Sequence, residues 1–144
     1  MAIAALDLGR RRIGVAVTDA ASMAAHPIGI VERRALKGDL EAIAAMIRGR
    51  RVSTIVVGLP LNMDGSEGPR AQATRAFVRN LSRLTTLPFV FWDERLSTAA
   101  VTRSLIAQDV SRAKRAEVVD RMAAAYILQG ALDWLNQPNA PRAD

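Results

Sequence analysis

Ala2-Ile3-Ala4-Ala5-Leu6-Asp7-Leu8-Gly9-Arg10-Arg11-Arg12-Ile13-Gly14-Val15-Ala16-Val17-Thr18 opens the chain and decides its fold. Two apolar runs of strand length, Met1–Leu8 and Ile13–Thr18, flank a Gly and three arginines, which reads as a β-hairpin with a short basic turn. Pro27–Glu32 fits a third strand. Asp39 reads as the cap of a helix over Leu40–Arg50, where Leu40, Ile43, Ala44 and Ile47 recur at helical spacing. Thr54–Gly58 is apolar and β-branched throughout, as in a strand covered on both faces. Pro69 opens a helix to about Leu84, with Thr74, Phe77, Val78, Leu81 and Leu84 inward. Pro88–Trp92 is a fifth strand, Ser97 caps a helix to about Ala107, Gln108–Lys114 is a polar connection, and Lys114–Leu135 is the longest helix. The order β-β-β-α-β-α-β-α-α predicts an α/β domain over residues 1–137, one mixed sheet with helices on both faces, and a frayed tail at 138–144.

Composition narrows the chemistry. The 144 residues include no cysteine and one histidine, His26, which excludes disulfides, thiol catalysis and Cys-ligated zinc. His26, before Pro27, reads as a loop residue. No apolar run is long enough for a membrane span and the N-terminus lacks a signal-peptide pattern, so the expectation is a soluble cytoplasmic protein. Twenty basic residues, 18 of them Arg, against 14 acidic ones give a net charge of +6 and point to a polyanionic partner, nucleic acid first. Aromatics at 4 % are too few for base stacking to be the main binding mode, and Tyr126 and Trp134 read as core or interface.

Acidic residues stand where acids are costly. Asp7 ends the first strand, Asp93 and Glu94 end the fifth, and Asp120 falls on the apolar face of the long helix with Ala116, Ala123, Ala124, Ile127 and Ala131. Buried carboxylates need a partner, a hydrogen bond or a cation. Without His or Cys, these are hard oxygen ligands suited to Mg²⁺ or Mn²⁺.

Four blocks carry a resemblance. Ala5-Leu6-Asp7-Leu8-Gly9 with Arg12–Asp19, then Val57–Ser66, Trp92–Thr98 and Val119–Gln129, resemble in order the motifs of the YqgF/RuvX family of RuvC-like nucleases. The resemblance implies an RNase H-like fold with a mixed five-stranded sheet, and a hydrolase acting on precursor 16S rRNA or on Holliday junctions. It implies Asp7, Glu94 and Asp120 as catalytic metal ligands for Mg²⁺ or Mn²⁺, with Asp93 beside them. Related RuvC enzymes carry one acid on the strand equivalent to Thr54–Gly58; here the Asp93–Glu94 pair stands in for it. Side chains alternate along a strand, so one of the pair faces the cluster: Glu94, with Asp93 as a brace. The opening strand also resembles the actin-like ATPase fold, but no second phosphate-binding Gly loop of that type follows.

Arg10, Arg11 and Arg12 on the turn are placed to grip phosphates, or form a solvated hairpin tip. The loop Asn62–Gly68, with Asn62 and Ser66, precedes a helix N-terminus and can present N–H groups to a phosphate, or is a turn. Arg95 orients the acids or neutralises phosphate charge. Arg75, Arg79 and Arg83 form a stripe that reads as a solvated helix face. The alternative class is a non-catalytic RNA- or ribosome-binding factor; monomer and homodimer both remain open.

Overall fold

The computed structural model describes residues 2–19, 21, 24–95 and 111–135, and for 112–121 the backbone alone. Strands β1 (Ala2–Leu8), β2 (Arg12–Thr18) and β3 (Ala25–Glu32) precede helix α1 (Leu36–Ile47). Strand β4 (Val52–Leu59), helix α2 (Pro69–Leu81), strand β5 (Phe89–Asp93) and helix α3 (Arg112–Leu135) follow. The five strands form one sheet in the order β3-β2-β1-β4-β5. The β1–β2 and β2–β3 pairs are antiparallel, whereas β1–β4 and β4–β5 are parallel. The carboxyl ends of β1, β4 and β5 therefore open onto the same edge, the usual place for a site in an α/β sheet.

Alternation along each strand sorts the core into two layers. Leu6, Leu8, Ile13, Val15, Val17, Ile55 and Val57 pack with Leu40, Ile43 and Ile47 of α1 and Phe77, Val78 and Leu81 of α2. On the other face Ala5, Ala16 and Val56 meet Ala124, Ala125, Ile127, Leu128, Ala131 and Leu132 of α3. The hairpin turn closes through a Gly9 N–H to Arg12 O bond of 3.0 Å. A Cβ on Gly9 would stand 2.7 Å from that same oxygen, so a side chain there would open the turn.

Several expected elements shift. Helix α1 begins at Leu36, with Ala35 as its N-cap; Asp39 sits inside the first turn, buried, and its Oδ1 accepts the Arg34 N–H at 3.1 Å. A carboxylate in the first turn can satisfy a backbone donor upstream of the helix, so an acid there need not mark its start. Helix α2 ends at Leu81, and Leu84 lies beyond it, half exposed rather than inward. His26 is on β3, opposite Val17, not in a loop. The long helix α3 begins at Arg112, two residues before the expected start at Lys114. The expected helix from Ser97 and the tail at 138–144 lie outside the described residues. Among the described residues no helix is long and apolar enough to cross a membrane.

Candidate active site

Asp7 is the penultimate residue of β1, partly buried, on the α3 side of the sheet with Ile3 and Ala5. Its neighbour Leu6 pairs with Val57, and the next residue of β4, Gly58, pairs with Trp92 of β5. Glu94 follows β5 directly, its N–H donating to Leu59 O at 3.3 Å. A Cβ built on Gly58 would lie 3.1 Å from Glu94 Oε2 and 2.6 Å from Ile127 Cδ1. The Glu94 carboxyl thus occupies the space above β4 that a side chain at 58 would fill. That placement accounts for the absence of an acid on β4: the carboxylate arrives from β5 and lies over a glycine.

Glu94 is pushed up to about 7, first by burial and then by the negative charge of Asp7, with the Arg70 charge opposing and Asp93 adding to the rise. The Glu94 carboxyl is thus poorly solvated and within the field of Asp7, an arrangement that a cation would relieve. Both donors are hard oxygens, which fits Mg²⁺ or Mn²⁺. Asp120 lies on α3, four residues before the buried Ala124 and seven before Ile127; its side chain is outside the described residues. Among the described residues no three acidic or histidine side chains gather around one point.

Asp93 turns the other way. Its Oδ1 accepts the Arg95 N–H at 3.1 Å, and its carboxylate takes Arg95 Nε at 2.9 Å and Nη2 at 2.6 Å. These bonds hold the Asp93 carboxyl below the ordinary carboxylate range. Arg95 Nη1 donates to Asn62 O at 3.2 Å and Met63 O at 3.0 Å, tying the end of β5 to the loop that leads into α2. The Arg95 guanidinium is thereby committed to protein partners. Asn62 and Ser66 face each other within that loop: Asn62 Nδ2 donates to Ser66 Oγ at 3.0 Å, and the Ser66 N–H and hydroxyl bond Asp64 Oδ1. Both polar side chains build the turn.

The basic residues divide. Arg10 and Arg11 are exposed at the hairpin tip, and with Asp7, Gly9 and Arg12 they line a polar cavity of about 320 Å³. Arg12, on β2, pairs with Glu32 across the β2–β3 ladder at 3.0 Å. Arg75 is not simply solvated: it bridges to Glu67 at 2.6 Å and lies 4.5 Å from the centroid of Phe91, while Arg79 and Arg83 face solvent. Trp134 packs edge-on to Trp92, ring centroids 6.3 Å apart. Arg70, whose charge acts on Glu94, escaped the sequence reading; its one local signal is its place beside Pro69 at the start of a helix.

A sheet of this order, with carboxyls at the ends of β1 and β5, matches solved resolvases in fold. Thermus thermophilus RuvC superposes with a TM-score of 0.53 over 92 % of this chain and 94 % of its own, at 15 % identity. Fowlpox virus resolvase, solved with substrate Holliday junction DNA, gives 0.54 over 95 % of this chain and 100 % of its own, at 12 % identity. Fold and site together define a nuclease of the RuvC-like, RNase H-fold class. More closely, residues 1–134 match the model of the RuvX family, described as Holliday junction resolvase, and the chain belongs to that family. A relative from Rhodopseudomonas palustris is 60 % identical over 139 residues, covering 96 % of this chain and 86 % of its own. One from Paracoccus denitrificans is 56 % identical over 134 residues, covering 93 % and 85 %. Both bear the name "Putative pre-16S rRNA nuclease".

Proposed function

We propose that this protein is a cytoplasmic, divalent-metal-dependent endonuclease that matures the 5′ end of precursor 16S rRNA. The observation that carries the reading is the Glu94 carboxyl lying over Gly58 within the field of Asp7, which lines a cavity with Arg10 and Arg11. The names of relatives at 56 % and 60 % identity favour precursor rRNA as substrate. Asp7, Glu94 and Asp120 would hold Mg²⁺ or Mn²⁺, Asp120 on the strength of its place on α3 two turns before Ile127. Held by these residues, such a cation would supply Lewis acidity toward a water and toward the phosphate oxygens. Glu94 would act as a ligand in its ionised form, which the charge of Arg70 favours. Arg10 and Arg11 grip strand phosphates, and the Asp93–Arg95 brace keeps Glu94 aimed.

The test is cleavage of a precursor 16S rRNA fragment and of a four-way DNA junction, each with Mg²⁺, Mn²⁺ or EDTA. Preferential, EDTA-sensitive cut of the rRNA fragment is expected. Preferential cut of the junction would transfer the function to resolution of branched DNA, the activity in the family's description. Metal-independent binding with no cut of either would make the chain a binding factor. Glu94→Gln and Asp120→Asn should each lower cleavage by about a thousandfold or more while keeping nucleic-acid binding, and should blunt the rise in Tm that Mg²⁺ gives wild type. Asp93→Asn should retain partial activity.

A further inference from the structure

A second cavity adjoins the carboxylate cleft. It has a volume of about 270 Å³ and lies between the hairpin turn and the start of α2, with Gly9, Arg10, Arg33, Arg70 and Phe77 in its wall. Gly9 and Arg10 line both cavities, so the two adjoin at the hairpin turn. Among the described residues no carboxylate lines this second cavity, although three arginines do. Arg33 is held in place: its Nη1 donates to Gly9 O at 2.8 Å, and its guanidinium lies 5.3 Å from the Phe77 ring centroid. Arg10 and Arg70 make no side-chain hydrogen bond and no ion pair among the described residues. The first turn of α2 adds to the positive field, because its N-cap is Gly68, which supplies no side-chain acceptor. Three like charges around one cavity repel each other, and an anion between them removes that cost. The Arg70 charge also reaches Glu94, so the basic cavity and the carboxylate cleft are within each other's field.

We propose that Arg10, Arg33 and Arg70 form a seat for a second backbone phosphate of the substrate strand, next to the phosphate held at the Asp7–Glu94 cleft. The inference rests on that cleft being the cleavage site, and it adds what sets the strand's register there: one phosphate is cut because its neighbour is seated. Guanidinium is suited to this work, since its planar fork donates to two phosphate oxygens at once. A diester is the occupant the surroundings favour, because Gly9 and Arg10 also line the cavity that holds Asp7. A free inorganic phosphate offers the same chemistry to three arginines, and the experiment separates the two.

The probe is the precursor rRNA fragment carrying a single uncharged methylphosphonate linkage, walked one position at a time through the cut site. Binding is measured in EDTA, where cleavage does not interfere. For wild type, one position beside the scissile linkage should weaken binding about tenfold. Arg70→Gln should weaken the fully charged strand by a similar factor, lower the slope of log K against log salt by about one, and be indifferent to the neutral linkage at that position. Arg70 is exposed and has no hydrogen-bonded side-chain partner among the described residues, so this variant should fold normally. Arg33→Lys keeps the charge and loses the fork, and should fall between the two. Arg79→Ala, on the solvent face of the same helix, should change nothing.

Equal sensitivity of wild type and Arg70→Gln at every position would overturn the seat. So would a flat walk combined with micromolar competition by inorganic phosphate, which would make the cavity a small-anion site. Parallel cleavage in Mg²⁺ keeps the two readings apart. Intact cleavage without the coupling rejects the seat and leaves the nuclease assignment standing; coupling without metal-dependent cleavage does the reverse.

Discussion

The two faces of the sheet are built from different residues, and the difference separates stability from chemistry. The face under α1 and α2 is filled by large aliphatics and Phe77, many with no exposed surface. The face under α3 is lined by Ala5, Ala16, Ala124, Ala125 and Ala131, with Val56, Ile127, Leu128 and Leu132 as its larger members. Small residues let a helix approach a sheet closely, and close approach is what brings Ile127 to Gly58 and leaves Glu94 poorly solvated. The first face buries area; the second shapes a cleft at its rim.

Ile43→Ala should break the first face most severely. Its side chain is fully buried in α1, and truncation should cost about 2–5 kcal/mol by urea unfolding, with cleavage per folded molecule unchanged. A loss of specific activity as large as the loss of stability would mean that the faces are not separable.

Gly58→Ala should show the opposite balance. Its new Cβ must displace Ile127 Cδ1 from 2.6 Å and crowd Glu94 Oε2 at 3.1 Å, at a cost of about 1–3 kcal/mol. Cleavage should fall at least tenfold below what stability alone explains. A variant with unimpaired cleavage would place the reacting groups away from Gly58.

The smallest effect expected is a gain. Because Glu94 is raised from 4.5 to about 7 in the folded protein, the native state holds a proton there that the unfolded chain releases. The stability linked to that proton is present in acid and is lost as pH rises through 7. Above it, the folded state carries a desolvated charge next to Asp7. Glu94→Gln should therefore unfold at a higher temperature than wild type at about pH 8.5, by roughly 1–2 kcal/mol, a figure reduced for the solvent that still reaches the carboxyl. At about pH 5 the advantage should shrink. An advantage that grows toward acid would reverse the sign and remove Glu94 from the cleft.

The strands and the order of elements were readable because period-two alternation and β-branched runs such as Thr-Ile-Val-Val at 54–57 are local signals. The same alternation distinguishes Glu94 from Asp93, since the last residue of a strand and the one after it leave on opposite sides. What was hidden depends on contacts distant in sequence. Asp39 looks like a cap until its carboxylate is seen reaching back to Arg34. Arg75 looks solvated until Phe91 of β5 is placed beneath it. Asn62 and Ser66 look available until they are seen bonded to each other. Arg33 and Arg70 gave no warning, because their cavity draws on the hairpin, the end of β3 and the start of α2, which nothing in the linear order brings together.

The Arg95 bridge has a bearing on how this chain can vary. Surface loops ordinarily gain and lose residues with little harm. The segment after β4 has less freedom, because a single guanidinium spans from Asp93 to the carbonyls of Asn62 and Met63. Lengthening that segment by one residue would move both carbonyls out of reach and release the turn that carries Glu94. Insertions in related chains should therefore avoid residues 60–66 and accumulate where no such tether exists, and engineered tags or fusions belong elsewhere on the molecule.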